Sequence, residues 1–309
     1  MCLYSPCNLC PRNCGVNRLA GETGFCGETA ALRIGAAVIH RGEEPPLVGT
    51  GGSGTIFISG CNLGCAFCQN YQISQGKNGE GSLGTAVTAE EFAKICTALR
   101  DKGAENINIV TGSHAIPSIV EGLAAAKGAG VRIPVLWNSS AYETTEALEL
   151  LKESVDIYLP DLKTMDSEIA GKFFKAPDYP RTASSAILKM LEMTDAKEKV
   201  IIRHLILPGF LESSRAVLRW FAENAAGRAQ LSLMTQYTPI PNRKKNPMPN
   251  RFLTEEEYET VLGWLEEYGI EDGFCQELVT GSEWLPDFRK QNPFSSELSV
   301  PVWHFTSRT

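Results

Sequence analysis

Between Thr55 and Met234 the chain alternates short, β-rich apolar runs with stretches of helical periodicity, and this alternation restricts the fold more than any other feature. The strand candidates are residues 55–59, 107–110, 133–137, 156–159, 200–206 and 231–234. Strands separated by helices pair in parallel, because a parallel partner can be reached only through a long crossover. Six of them predict an α/β fold, a partial (β/α)6 TIM-like barrel; a full barrel needs two more.

Two helices announce their starts. Thr88 with Glu91 and Thr254 with Glu257 have the spacing at which a hydroxyl and a carboxylate satisfy amides left free in a first turn. Phe92, Ile95 and Leu99 then recur at three- and four-residue spacing, which predicts a face packed on the sheet. Residues 1–48 read as a Cys-rich N-terminal cap, 49–240 as the barrel, and 241–309 as a C-terminal helix with an irregular tail. The prolines from Pro239 to Pro249 mark the second boundary.

A formal net charge of -7 opposes long-range attraction to polyanions, so nucleic acid is not an expected partner. The basic run Arg243, Lys244 and Lys245 reads as a solvated turn. No apolar run is long enough to span a bilayer, and the opening residues lack the basic-then-apolar pattern of a secretory signal, so the expected location is cytoplasmic. Disulfides are rare there. Ten cysteines, eight of them before residue 69, therefore point to metal or redox chemistry.

Cys61, Cys65 and Cys68 follow the first predicted strand with three and then two residues between them. Three thiolates so spaced can hold one [4Fe-4S] cluster by three of its irons, whereas electron-transfer ferredoxins close theirs with a fourth cysteine. The missing ligand leaves an iron open, as a catalytic metal keeps a free position. The competing readings are buried structural cysteines or a zinc site completed from elsewhere.

This loop resembles the signature of the radical S-adenosylmethionine superfamily. The resemblance extends through Gln69-Asn70-Tyr71 and residues 107–111, 138–142, 156–163 and 203–209 to the branch named after the pyruvate formate-lyase activating enzyme. It implies that the open iron binds the amino and carboxylate groups of S-adenosyl-L-methionine. An electron from the reduced cluster then breaks the sulfonium, and the resulting 5'-deoxyadenosyl radical abstracts a substrate hydrogen. It also implies roles for individual residues. Asp161 and Lys163 lie near the cofactor carboxylate, with the aspartate helping to bind a cation. Asn138 and Ser139 are further polar residues there, Arg203 is a fork for a carboxylate, and Phe67 lies beside the adenine. The bland alternatives are a surface ion pair for Asp161 with Lys163 and a rim salt bridge for Arg203. The branch commonly places Gly-Gly-Glu after the second strand to receive the cofactor amino group. Here that segment is Thr111-Gly112-Ser113-His114, so backbone carbonyls or Ser113 are expected to substitute.

Cys7, Cys10, Cys14 and Cys26 form a second set, with Pro11, Gly15 and Gly24 to turn the chain. Four thiolates suit zinc and also suit an auxiliary Fe-S cluster; a set without metal is the third reading. Residues 49–54 are Gly-rich but lack the Gly-Lys-Ser/Thr ending of a phosphate loop and precede a strand. His114 and His204 are expected as hydrogen-bonded rim histidines, and Cys2, Cys96 and Cys275 as packing residues.

The leading functional expectation is a radical generator that abstracts hydrogen from a partner protein, fed by a low-potential donor such as flavodoxin or ferredoxin. The alternatives are radical modification of a small molecule, peptide or RNA, and, in another class, an iron-sulfur electron carrier or structural metal-binding module.

Overall fold

The computed structural model describes residues 3–74, 82–240, 248–282 and 284–307. The basic run at 243–245 and Cys2 lie outside them. The chain order is β1 (Leu32–His40), α1 (Pro45–Val48), β2 (Ser53–Ile58), α2 (Tyr71–Ser74), β3 (Thr85–Val87), α3 (Ala89–Asp101), β4 (Ile107–Val110), α4 (Ile116–Gly128), β5 (Val135–Ser139), α5 (Thr145–Glu149) and β6 (Ile157–Pro160). It continues with α6 (Ser167–Phe174), α7 (Tyr179–Met193), β7 (Ile201–Leu205), α8 (Leu211–Asn224), β8 (Gln230–Met234), α9 (Glu255–Glu267), β9 (Gly273–Cys275) and β10 (Ser299–His304).

β2, β4, β5 and β6 pair in parallel, as do β7, β8 and β9. Parallel bridges from Tyr158 to Val200 and from Asp161 to Arg203 join the two sets across β6 and β7. The fold is therefore α/β with a mostly parallel sheet, and β2, β4, β5, β6, β7 and β8 are the six expected strands, shifted by a residue or two at their ends. Side chains alternate along them. Ile107 and Ile109 on β4 join the outer core with Phe92, Ile95 and Leu99 of α3. Leu136, Leu159 and Ile201 form a second cluster with Leu47 of α1. Both expected capping boxes form, at Thr88 with Glu91 and at Thr254 with Glu257.

The sheet does not begin at residue 49. β1, from the predicted cap, pairs antiparallel with β2 and with β10 from the predicted tail. Both segments complete the sheet because an uncovered edge of β2 would leave a row of unpaired amides and carbonyls. Among the described residues no helix is long and apolar enough to cross a membrane.

His204 of β7 points outward and is fully packed, bonded through Nδ1 to Leu162 O and through Nε2 to Ser214 Oγ, both at 2.8 Å. Burial pulls its pKa down to about 4. The unfolded chain then takes up a proton that the folded chain refuses, so stability present above about pH 6.5 is lost as pH falls toward 4. A thermal melting series should show a downward slope over this window that is flattened in His204→Gln; an unchanged slope contradicts the assignment.

Candidate functional site: a cavity at the strand ends

A cavity of about 590 Å3 opens at the C-terminal ends of the parallel strands and continues into the barrel. Parallel strands deliver every following loop to this edge, which is why sites gather there. Cys61, Cys65 and Cys68, from the loop after β2, line it together with Phe67, Thr111, Asn138, Ser139, Asp161, Lys163 and Arg203. Gly112 and Ser113 do not.

The cysteine loop is held from three sides. Gly60, at φ 84°, turns the chain out of β2 in a conformation glycine adopts without strain. Gly64 N and Ala66 N donate to Phe174 O and Phe173 O at 3.0 and 2.8 Å, and Leu63 N donates to Cys61 Sγ at 3.3 Å. Burial pushes the Cys65 thiol up to about 12 and Cys61 higher still, the latter aided by its neighbours Cys65 and Cys68. Thiolates here thus require a cation to balance them. Among the described residues no three His, Cys, Asp or Glu side chains meet at one ion-sized position. The three sulfurs instead border a common space, a donor set suited to a cluster.

Lys163 donates to Asp161 Oδ2 at 2.5 Å beside this loop. Burial alone would lower the lysine pKa, but Asp161 and Cys65 outweigh it and the net shift is upward. Tyr179 braces the pair: its hydroxyl donates to Asp161 O at 2.7 Å and accepts from Lys163 N at 3.1 Å. Phe67 is buried against Phe174 and Tyr237.

Two networks had no signature in residue spacing. Glu143 is buried, has no cationic partner among the described residues, and accepts from Ser113 Oγ at 2.8 Å, Trp137 Nε1 at 2.7 Å and Ser139 Oγ at 3.0 Å. It thereby ties the loop after β4 to the end of β5, where Thr111 and Ala141 hold φ values of 67° and 55°. Ser113 is committed to this network, and a Cβ on Gly112 would meet the Trp137 ring at 2.6 Å. The second network surrounds Arg203. Its Nε donates to Glu44 Oε1 at 2.8 Å and its Nη2 contacts both Glu43 and Glu44. Asn108 Nδ2 adds a bond to Glu43 at 3.0 Å.

His40, Glu43, Trp284, Phe294 and Cys275 also line the cavity. Cys275 is exposed, not packed, because β9 ends the sheet and leaves its side open. His114 and Cys96 are buried, with His114 Nε2 on Ser59 O at 2.8 Å.

The model of the Radical SAM superfamily matches residues 55–221, more than half the chain. The chain belongs to the radical SAM superfamily. That match spans the cysteine loop, Asp161, Lys163 and Arg203. An uncharacterised protein of Methanocaldococcus jannaschii is 34% identical over 271 residues, which cover 87% of this chain and 77% of that one. Streptococcus suis SuiB, solved with its precursor peptide SuiA, shares the fold at a TM-score of 0.52 and 14% identity over 70% of this chain. The match covers 46% of SuiB, so this radical SAM protein corresponds to about half of that structure. A domain of a pyruvate-formate lyase-activating enzyme from Bacteroides vulgatus reaches a TM-score of 0.40 at 16% identity, covering 52% of this chain and 91% of its own; a likeness that low carries no weight for the branch. Members of the family use a [4Fe-4S] cluster and S-adenosylmethionine, and membership supports an enzyme.

Arg203→Met should cost about 3–5 kcal/mol by stranding two buried carboxylates. Adding Glu43→Gln and Glu44→Gln should recover most of it in urea titrations; no recovery would contradict the network. Glu143→Ala should cost about 1–3 kcal/mol for each donor left unpaired, read the same way.

Proposed function

We propose that this protein binds a [4Fe-4S] cluster through Cys61, Cys65 and Cys68 and cleaves S-adenosylmethionine reductively to abstract hydrogen from a substrate. The observation that carries the reading is the meeting of three thiols, the Asp161–Lys163 pair, Asn138 and Ser139 on one cavity at the strand ends. When bound, the cluster and cofactor supply the electron and the radical, which no side chain can furnish.

The chain's own residues bind, orient and exclude water. Lys163, kept protonated by Asp161, is suited to the cofactor carboxylate, and Asp161 retains a second oxygen for a cation. Phe67 offers an apolar face to the adenine. Thr111 and Ser139 border the cavity on a frame fixed by Glu143, and the backbone carbonyl of Thr111 is the acceptor this segment offers the cofactor amino group, since Gly112 and Ser113 lie off the cavity. Ser113 Oγ is already committed. Arg203 is held in the cavity wall by Glu43 and Glu44, so any fork it makes to a bound carboxylate must share those partners.

The leading substrate is a glycine of a partner protein, as the resemblance to the activating-enzyme branch implies. The electron donor is a low-potential flavodoxin or ferredoxin, and the setting is cytoplasmic. One observation favours a second reading, a small molecule held within the barrel. The cavity runs on past the strand ends to His40, Glu43, Phe57, Trp284 and Phe294, a polar floor between aromatic walls of the sort that encloses small ligands.

Anaerobically reconstituted protein with a strong reductant and S-adenosylmethionine should release 5'-deoxyadenosine, and Cys65→Ala should release none. Intact protein that yields no 5'-deoxyadenosine would refute the reading. A glycine-centred doublet on a candidate partner, detected by electron paramagnetic resonance, selects the protein substrate.

A further inference from the structure

Arg12 and Arg18 lie between the cysteines of the N-terminal set, and among the described residues neither has a carboxylate partner. Arg18 is 2% exposed. Its guanidinium donates to Glu28 O, Thr29 O and His114 O at 3.1, 2.6 and 2.6 Å, lies 4.5 Å from the centre of the Tyr4 ring, and places Nη1 3.9 Å from Cys7 Sγ. Arg12 donates to Asn62 O, Lys175 O and Phe174 O and lies 3.7 Å from the centre of the Phe25 ring. The buried acid nearby, Glu28, is committed to Arg33 at 3.2 Å and to Ser82 at 2.8 Å. Carbonyls satisfy the geometry of a guanidinium without neutralising its charge; for Arg18, the buried one of the two, an uncompensated charge costs several kcal/mol, while Arg12 is half-buried.

We propose that Cys7, Cys10, Cys14 and Cys26 hold a second metal centre through four thiolates, a dianion balanced by Arg12 and Arg18. Four thiolates on zinc leave two surplus negative charges, and four on an oxidised [4Fe-4S] cluster leave the same two, so the arginine pair matches either.

The backbone gathers these cysteines. Cys7 N donates to Val16 O at 2.8 Å and Gly15 N to Cys7 O at 2.9 Å, folding the segment from Cys7 to Cys14 into a closed loop. Phe25 N donates to Cys14 Sγ at 3.3 Å, and a Cβ on Gly24 would stand 2.7 Å from that sulfur, which brings Cys14 beside the turn that leads into Cys26. Cys7, Cys10 and Cys26 are buried. As at the Cys61 loop, the sulfurs do not meet at one ion-sized point, so a metal would have to draw them together.

The position gives such a centre a task. Arg12 Nε holds Asn62 O at 2.8 Å, and Asn62 Nδ2 donates to Tyr142 O at 2.6 Å, so the N-terminal loop clamps the residue next to Cys61. A metal that rigidifies the N-terminal loop would rigidify the cluster loop with it.

The test is independent of the radical reading. In a variant with Cys61, Cys65 and Cys68 all replaced by alanine, elemental analysis after anaerobic purification should find zinc at one per chain or iron at cluster stoichiometry. Zinc assigns a structural ion, and iron assigns an auxiliary cluster. The Cys7, Cys10, Cys14 and Cys26 thiols should resist a thiol reagent until a chelator is added. Arg18→Met in the same background should reduce the metal to background without altering the circular dichroism of the barrel. A folded triple variant that carries neither metal, or whose N-terminal thiols react freely without chelator, overturns the proposal.

Discussion

Parallel pairing from β2 through β6 obliges each βα loop to leave the sheet on the same edge, and the chemistry of this protein depends on that constraint. The loops carrying Cys61, Thr111, Ser139 and Asp161 have no sequence proximity; the sheet brings them together. Burial at that edge then sets the electrostatics. It makes free thiolates unfavourable, so the cysteine loop suits a cationic cluster, and it opposes the charge on Lys163, which Asp161 at 2.5 Å and Cys65 restore.

Support for the site comes largely from outside it. Tyr179 from α7 braces Asp161 and Lys163, the α6 carbonyls of Phe173 and Phe174 hold the cysteine loop, and Glu143 fixes the frame around Thr111 and Ser139. A carboxylate from the loop after β5 thus reaches the segment after β4, but it faces the core. It restrains the backbone and does not line the cavity.

Much of this was legible in the chain and some was not, for identifiable reasons. The six parallel strands stood out because helices of clear periodicity separate them, and the cluster loop because thiolate spacing is short-range. β1 was missed since its residues from Leu32 to His40 are almost all buried, which removes the alternation that marks a half-exposed strand. β10 owes its place to pairing with β1 across more than 250 residues, a contact no local pattern encodes. Glu43, Glu44 and Glu143 carry no spacing signal, because only the folded sheet puts them against Arg203, Trp137 and Ser139. Cys275 was read as packing because the end of the sheet at β9 could not be foreseen.

The central claim is that one iron at the Cys61 loop remains free for S-adenosylmethionine. Electron paramagnetic resonance of the dithionite-reduced protein tests it directly: the account predicts a [4Fe-4S] signal whose g values shift when S-adenosylmethionine is added and that disappears in Cys65→Ala. A spectrum indifferent to the cofactor, or a cofactor-responsive signal that survives loss of Cys65, would contradict it.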